Sequence, residues 1–352
     1  MNRLEDDEFF SALAAKAHAL RHPEAVTFEL TYGCNLRCVH CYNPTHRVLP
    51  AELTTAEVAS ILDQAAELGV LHVTFSGGEP LTRPDFLDIL HDARRLGFVV
   101  HILTSATRVT PRIADGLEEV GVDRIIVSIY GATEATYERM TGVPGSYAAF
   151  RRGLDHLAAR PLRVIVRMPV TTVNYAEVEA CRKLIEPYGW RFQYSLDIMP
   201  KTDGDKTPLQ YRLSPEDKIA IDRARLLSLT ATRVEDLCPS NNRFIECACG
   251  RSRFAITPYG GMNLCTAFPI PNYDLRRGTV REGWEVLKQT VDRAAPSEQY
   301  ECPTCDVRPY CRQGRSDAWL ETGDMSVCLP HFKEWARLEQ QAHVPLDPRR
   351  PG

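Results

Sequence analysis

The segment Cys34-Asn-Leu-Arg-Cys38-Val-His-Cys41 places three cysteines at C-x3-C-x2-C spacing, directly after the alternating apolar stretch Val26–Thr31. Thiolates are soft ligands for iron and zinc. Three at this spacing can hold three irons of a [4Fe–4S] cube and leave the fourth iron without a protein ligand. An open iron is a place for chemistry. The other readings are a zinc site and a plain electron-transfer cluster. Zinc usually takes four ligands in paired C-x2-C arrangements, so the trio is one short. Ferredoxin-type clusters use four cysteines. A second motif, Ser76-Gly77-Gly78-Glu79-Pro80, closes the next apolar run. Its glycines allow close backbone approach, and Glu79 can accept hydrogen bonds.

The other nine of the 12 cysteines are Cys181, alone, and eight between Cys238 and Cys328. A disulfide framework is a poor explanation. The N-terminus is charged and carries no secretory h-region, the chain is too large to need staples, and cytosolic thiols stay reduced. Metal binding is the better default, in two separate regions. Cys181 reads as a small buried hydrophobe.

These groups must be positioned by the elements around them. The 352 residues suffice for one large and one smaller domain. A net charge of −4 with no basic block argues against nucleic acid. No run approaches about 18 apolar residues, so no transmembrane helix is expected and the chain is read as cytoplasmic. Strand-like runs occur at Val26–Thr31, Val70–Phe75, Val99–Leu103, Arg124–Ile129, Arg163–Met168 and Arg191–Leu196. They alternate with helical patterns such as Thr55–Leu68 and Pro84–Leu96. Thr54 and Glu57 can form a capping box, and Gly69 can end that helix. Repeated strand–helix units imply a parallel sheet. Six units are too few for a closed eight-stranded barrel, so the expected class is α/β, a partial (β/α)6 TIM-like barrel. Such barrels place chemistry at the C-terminal strand ends, where both motifs fall.

Met199–Pro208 reads as a polar loop leaving the barrel, Ser214–Leu229 as a helix, and Phe332–His343 as a last helix. The divisions are then an N-terminal helical segment (1–24), the barrel (25–200), a linker and bridging helix (201–235), a small Cys-rich α+β domain (236–343) and a tail (344–352).

A cysteine trio after the first strand of a six-unit α/β chain, followed by Gly-Gly-Glu-Pro one strand later, resembles the radical SAM superfamily. The resemblance implies that Cys34, Cys38 and Cys41 ligate a [4Fe–4S] cluster whose open iron chelates S-adenosylmethionine. Reductive cleavage then yields a 5′-deoxyadenosyl radical, with the protein supplying position and shielding. It places His40 near the adenine. It gives Ser76, Gly77, Gly78, Glu79 and Pro80 to the methionine ammonium, and Thr104, Ser105, Ser128 and Arg139 to the ribose or carboxylate. Ser128-Ile-Tyr130-Gly131 departs from the more usual Ser-Leu-Asp-Gly, so Tyr130 stands where an acid often faces the pocket. Tyr130, Arg167 and Tyr194 are the candidates for substrate-facing catalytic residues.

The later cysteines resemble the SPASM (twitch-containing) extension of radical SAM peptide maturases. In that pattern a cysteine leads into G-x4-C, then C-x2-C-x5-C-x3-C, then a final cysteine. The match runs through Cys247-Ala-Cys249, Gly260 and Cys265 to Cys302, Cys305, Cys311 and Cys328. It implies one to two auxiliary [4Fe–4S] clusters. The outer one takes Cys302, Cys305, Cys311 and Cys328, and the inner one takes Cys247, Cys265 and Cys238. The inner fourth ligand should lie four residues after Cys311, where this chain has Arg315. Cys249 substitutes, or that cluster has an open iron or is absent. A pair of zinc sites is the alternative for the region.

The resemblance implies an enzyme acting on a ribosomally made peptide, by crosslinking, epimerisation, decarboxylation or backbone excision. The alternatives are oxidation of a sulfatase-type protein, a small-molecule enzyme of cofactor or antibiotic biosynthesis, and a non-catalytic Fe–S electron carrier. An external reductant such as flavodoxin or ferredoxin is implied. Many members carry a leader-binding domain before the trio. Only 33 residues precede Cys34 here, so a separate leader-peptide recognition protein, or a substrate without a leader, is expected.

Overall fold

The computed structural model describes residues 3–226, 232–233, 244–245 and 247–342. Helix α1 (Arg3–Leu20) leads into strand β1 (Ala25–Glu29). Then follow α2 (Thr55–Glu67), β2 (His72–Ser76), α3 (Phe86–Arg95), β3 (Val99–Thr104), α4 (Pro111–Val120) and β4 (Arg124–Ser128). Two helices, α5 (Glu134–Thr141) and α6 (Ser146–Ala158), precede β5 (Val164–Pro169), and α7 (Val178–Ile185) precedes β6 (Arg191–Ser195). Strands β1 to β6 lie in chain order, and each pairs parallel with the next. That is the expected open six-unit barrel. Local signals set the helix ends as read. Thr54 and Glu57 cap α2 reciprocally, with Glu57 Oε2 accepting the Thr54 N–H at 2.8 Å.

Parallel register assigns each side chain to a face. Phe28, Phe75, Ile102 and Ile125 are paired across four strands and all are 0% exposed. This row belongs to a core shared with α2 and α3 through Val58, Ile61, Ile89 and Leu90. The neighbouring positions point the other way. Glu29 pairs with Ser76, and Ser128 pairs with Arg167, which pairs with Gln193. Polar side chains near the C-terminal strand ends therefore face the concave side, at two register levels. Tyr194 pairs with Met168 on the apolar side and is 1% exposed, so it does not face the concave side. Every residue of β6 but its two ends is buried, so sequence alternation could not fix its face.

After β6, the loop from Met199 ends in a 3-10 turn at Thr207–Tyr211, then α8 spans Pro215–Leu226. Residues 227–229 of the expected helix lie outside the described residues. Strand β7 (Thr232–Arg233) extends the sheet beside β6. The C-terminal part adds a connection that no local pattern signals. Strand β8 (Arg253–Ile256) pairs parallel with β1. Strands β9 (Gly261–Asn263) and β10 (Tyr273–Asp274) continue from it antiparallel, giving one ten-stranded sheet. Helices α9 (Val280–Arg293), α10 (Arg315–Thr322) and α11 (Pro330–Gln341) complete the chain. Cys181 on α7 is fully buried. Among the described residues no helix is long and apolar enough to cross a membrane.

Helix α8 packs on α11 around Lys218, whose side chain is 0% exposed. Its Nζ donates to Asp197 Oδ1 at 3.0 Å and to His331 Nε2 at 2.8 Å, and it sits 4.1 Å from the centre of the Trp335 ring. A buried ammonium needs such partners. The acceptor His331 must be neutral. Burial first, then the Lys218 and Arg212 cations, hold its pKa down to about 3. A histidine depressed in the folded state contributes stability that is present above its unfolded pKa. That stability is lost as pH falls through the window between about 6.5 and about 3. Urea midpoints across this window should fall more steeply for wild type than for His331→Gln, and parallel curves would refute the assignment.

Candidate active site

The segment after β1 is irregular and is pinned from several sides. Asn43 is 1% exposed; its Nδ2 donates to the Tyr32 carbonyl at 2.8 Å, and its Oδ1 accepts from the N–H groups of Thr45 and His46. The Arg37 and Val39 N–H groups donate to the Thr141 and Met140 carbonyls at the end of α5. The loop after β2 closes the other side. Gly78 N–H donates to the Thr31 carbonyl at 2.7 Å and Glu79 N–H to the Gly33 carbonyl at 2.9 Å. A Cβ on Gly77 or Gly78 would overlap backbone carbonyls of this same segment, Thr31 for Gly77 and Gly33 for Gly78. In this structure, then, the glycines serve the approach of loop to loop.

The three thiols sit in this cradle, and burial pushes each of them up. Cys34 reaches about 12 and Cys41 about 11, and Cys38 lies well above the ordinary value. The sulfurs are near enough to raise one another: Cys41 acts on Cys34, and both act on Cys38. Crowded buried thiols become thiolates only against strong positive charge, which a metal centre supplies. Among the described residues no three Cys, His, Asp or Glu groups converge on a single ion. Ligands of a multi-iron cube stand apart around it, so this donor set fits an iron–sulfur group.

Glu79 is 1% exposed, and its carboxylate accepts four hydrogen bonds. They come from Leu81 N–H (3.3 Å) and Thr104 Oγ1 (2.8 Å) on Oε1, and from Ser105 N–H (2.8 Å) and Ser105 Oγ (2.6 Å) on Oε2. Burial pushes its pKa up, while the donors pull the other way. Thr104 and Ser105, at the end of β3, thus meet Glu79. In Glu79→Gln an amide N–H group must face donors wherever it points. The variant should lose about 1–3 kcal/mol of stability, readable in urea midpoints; an unchanged midpoint would show that the four bonds are not held.

Tyr130 follows β4 and is 8% exposed. Its ring lies 5.5 Å from His40 and 5.5 Å from Tyr137. Burial pushes its hydroxyl well above the ordinary value, and the nearby Cys38 thiol adds to this. The residue replacing the family's acid therefore touches the cysteine loop. His40 Nδ1 is buried without a hydrogen-bond partner among the described residues. Ser128, Arg167 and Gln193 line the concave side, with Arg167 Nη2 3.5 Å from Gln193 Oε1. Arg139 is directed elsewhere, donating to the Val173 carbonyl at 2.9 Å. Tyr194 donates to Asp222 at 3.3 Å on the opposite face.

Sequence reasoning missed Glu29, which is 2% exposed and accepts from Tyr42 Oη at 2.7 Å. Burial pushes its pKa up to about 7, against the hydrogen bonds from Tyr42 and Tyr32. An acid inside an apolar strand was the available signal. A cleft of about 530 Å³ opens beside Tyr32, lined by Thr202, Tyr259, Asn263, Arg276 and Trp319.

In the C-terminal part, the neighbouring Cys247 and Cys265 thiols, with burial, push Cys249 well above the ordinary thiol value. Cys238 lies outside the described residues. Cys302 and Cys305 flank one 3-10 turn, Cys311 follows another, and Cys328 precedes α11. Burial first, with the Cys302 and Cys305 thiols adding to it, pushes Cys311 up to about 11. Cys328 is pushed to about 12 by burial, then by Glu301 and Cys311. These four thiols are near neighbours, and four soft donors fit an iron–sulfur group. Arg315, at the start of α10, donates through Nη2 to the Cys302 sulfur at 3.5 Å.

Comparison with known proteins agrees with this geometry. The family model described as the radical SAM superfamily matches residues 28–185. The chain is 42% identical over 343 residues to the PqqA peptide cyclase of Streptomyces rochei, covering 89% of this chain and 90% of that protein. It is 28% identical over 327 residues to the AdoMet-dependent heme synthase of Methanosarcina barkeri, covering 86% and 94%. Its fold is similar to that of Streptococcus suis SuiB bound to S-adenosylmethionine, with a TM-score of 0.71 at 16% identity over 92% of this chain and 80% of that one. Membership in such a family implies S-adenosylmethionine and one [4Fe–4S] cluster as cofactors. With its cysteine cradle, its Gly-Gly-Glu-Pro loop and these relatives, the chain belongs to the radical SAM superfamily and is an enzyme of that kind.

Proposed function

We propose that the enzyme forms an intramolecular crosslink in a ribosomally made peptide. The observation that carries this reading is the 42% identity to a peptide cyclase over nine-tenths of that protein. In this reading Cys34, Cys38 and Cys41 hold the cluster that binds S-adenosylmethionine. Glu79, Thr104 and Ser105 form the wall nearest its amino group, and His40 and Tyr130 form the side facing the adenine. When bound, cluster and S-adenosylmethionine supply a 5′-deoxyadenosyl radical that takes a hydrogen atom from the substrate. The chain's own residues orient the peptide and keep water away. Ser128, Arg167 and Gln193 present polar groups from the concave side. The cleft beside Tyr32 has room for side chains of an extended peptide. There Asn263, 2% exposed, offers an Oδ1 with no partner among the described residues. The later cysteines hold one or two auxiliary clusters.

The test is anaerobic incubation with S-adenosylmethionine, dithionite and short peptides encoded beside the gene. The reading expects 5′-deoxyadenosine together with a peptide lighter by two hydrogens, as a new bond between two former C–H or X–H positions requires. Peptides left at their original mass, with a tetrapyrrole consumed in a parallel incubation that supplies one, would favour the small-molecule reading, for which the heme synthase relative stands.

A further inference from the structure

Arg315 occupies the position where the SPASM pattern has a fourth cysteine for the inner cluster, and the structure gives it another place. Its guanidinium lies 5.0 Å from the Tyr300 ring centre and 5.4 Å from that of Phe244. The two rings meet edge to face at 5.1 Å and 90°. Nη1 donates to the Met325 carbonyl at 3.3 Å, and Nη2 donates to the Cys302 sulfur at 3.5 Å. The aromatic corner and the carbonyl fix the plane of the fork, and the remaining edge points at a sulfur of the outer cysteine set. Lysine lacks this planar, two-directional geometry.

The neighbouring cations are compensated by carboxylates. Lys333 is paired with Glu301 at 2.8 Å, and Arg312 is paired with Glu339. Among the described residues Arg315 makes no ion pair. A fixed positive charge with an N–H aimed at a ligand sulfur stabilises the more negative, reduced state of an iron–sulfur group.

We propose that Arg315 is a positioning residue that raises the reduction potential of the iron–sulfur group held by Cys302, Cys305, Cys311 and Cys328, so that this site takes up an electron readily. The proposal rests on the reading that those four cysteines bind such a group. It supplies a reason for arginine at this position: the ligand missing from one site becomes the electrostatic control of the other. An oxidative crosslink leaves an electron to be removed from the substrate, and a site made easier to reduce is suited to receive it.

The experiment is an EPR-monitored redox titration of the full, anaerobically reconstituted chain as wild type, Arg315→Gln and Arg315→Lys. The outer signal is identified as the one lost in Cys305→Ala. In Arg315→Gln its midpoint should fall by at least about 59 mV, a tenfold change in a one-electron equilibrium. Arg315→Lys, which keeps the charge without the fork, should fall between. An unchanged midpoint in Arg315→Gln, with wild-type iron content, would overturn the role of Arg315. Loss of no signal and no iron in Cys305→Ala would instead overturn the iron–sulfur reading of the outer site.

Discussion

Reconstituted anaerobically, Cys38→Ala protein is expected to carry about four irons fewer per chain than wild type and to release no detectable 5′-deoxyadenosine. Cys38 is the thiol most surrounded by the site. Burial pushes it well above the ordinary thiol value, and Cys41 and Cys34 both add to this. With only two thiolates the cube would have two irons without protein ligands. Cys181→Ala is the matched control. Cys181 is fully buried but lies alone on α7. Its replacement should cost about 1 kcal/mol of packing and leave iron content unchanged. Equal iron in Cys38→Ala and wild type would remove Cys38 from the ligand set.

The second large effect comes from a residue with no side chain. Alanine at Gly78 would put its Cβ into the Gly33 carbonyl and 2.7 Å from the Tyr32 oxygen. Both obstacles are backbone and neither can swing aside, so one loop must move. The displaced loop is the one that carries Cys34 next to Gly33, and its movement breaks the hydrogen bond from Gly78 N–H to the Thr31 carbonyl. Gly78→Ala should therefore lose at least about 3 kcal/mol of stability and most of the first cluster's iron. Gly97 offers the contrast. Its φ is +89°, but a Cβ there meets nothing within 4 Å. Gly97→Ala should cost only the left-handed strain of about 1 kcal/mol and keep its iron. Denaturant midpoints and iron content of the two variants check the difference; similar losses in both would mean that the interlocked loops are not what holds the site.

Much of this was legible in the sequence because it is local. Six apolar runs marked six strands. The expected ends differ by a residue or two because pairing, and not hydrophobicity, ends a strand. Leu30 and Thr31 continue the apolar run, for example, but lie beyond the last strand residue, Glu29. The cysteine trio and the Gly-Gly-Glu-Pro loop carry spacing that survives without any structure. What was not legible is non-local. Strand β8 joins β1 across more than two hundred residues, and nothing in Arg253–Ile256 announces its partner. Tyr194 sits in a strand buried on both faces, where alternation gives no parity. In the sequence Arg315 is only a missing ligand; its approach to Cys302 depends on how α10 is placed against the turn at Cys302. The glycines of the second motif suggest room for a ligand, yet the carbonyls of the neighbouring loop occupy that space.

The central claim is that the cradle of Cys34, Cys38 and Cys41 makes this chain a catalyst of S-adenosylmethionine cleavage. The most direct measurement is mass-spectrometric detection of 5′-deoxyadenosine from reconstituted wild-type protein given dithionite and S-adenosylmethionine. The expected result is deoxyadenosine from wild type and none from Cys38→Ala. An intact, reducible cluster that yields no deoxyadenosine, with or without peptide, would contradict the claim and leave an electron carrier as the better description.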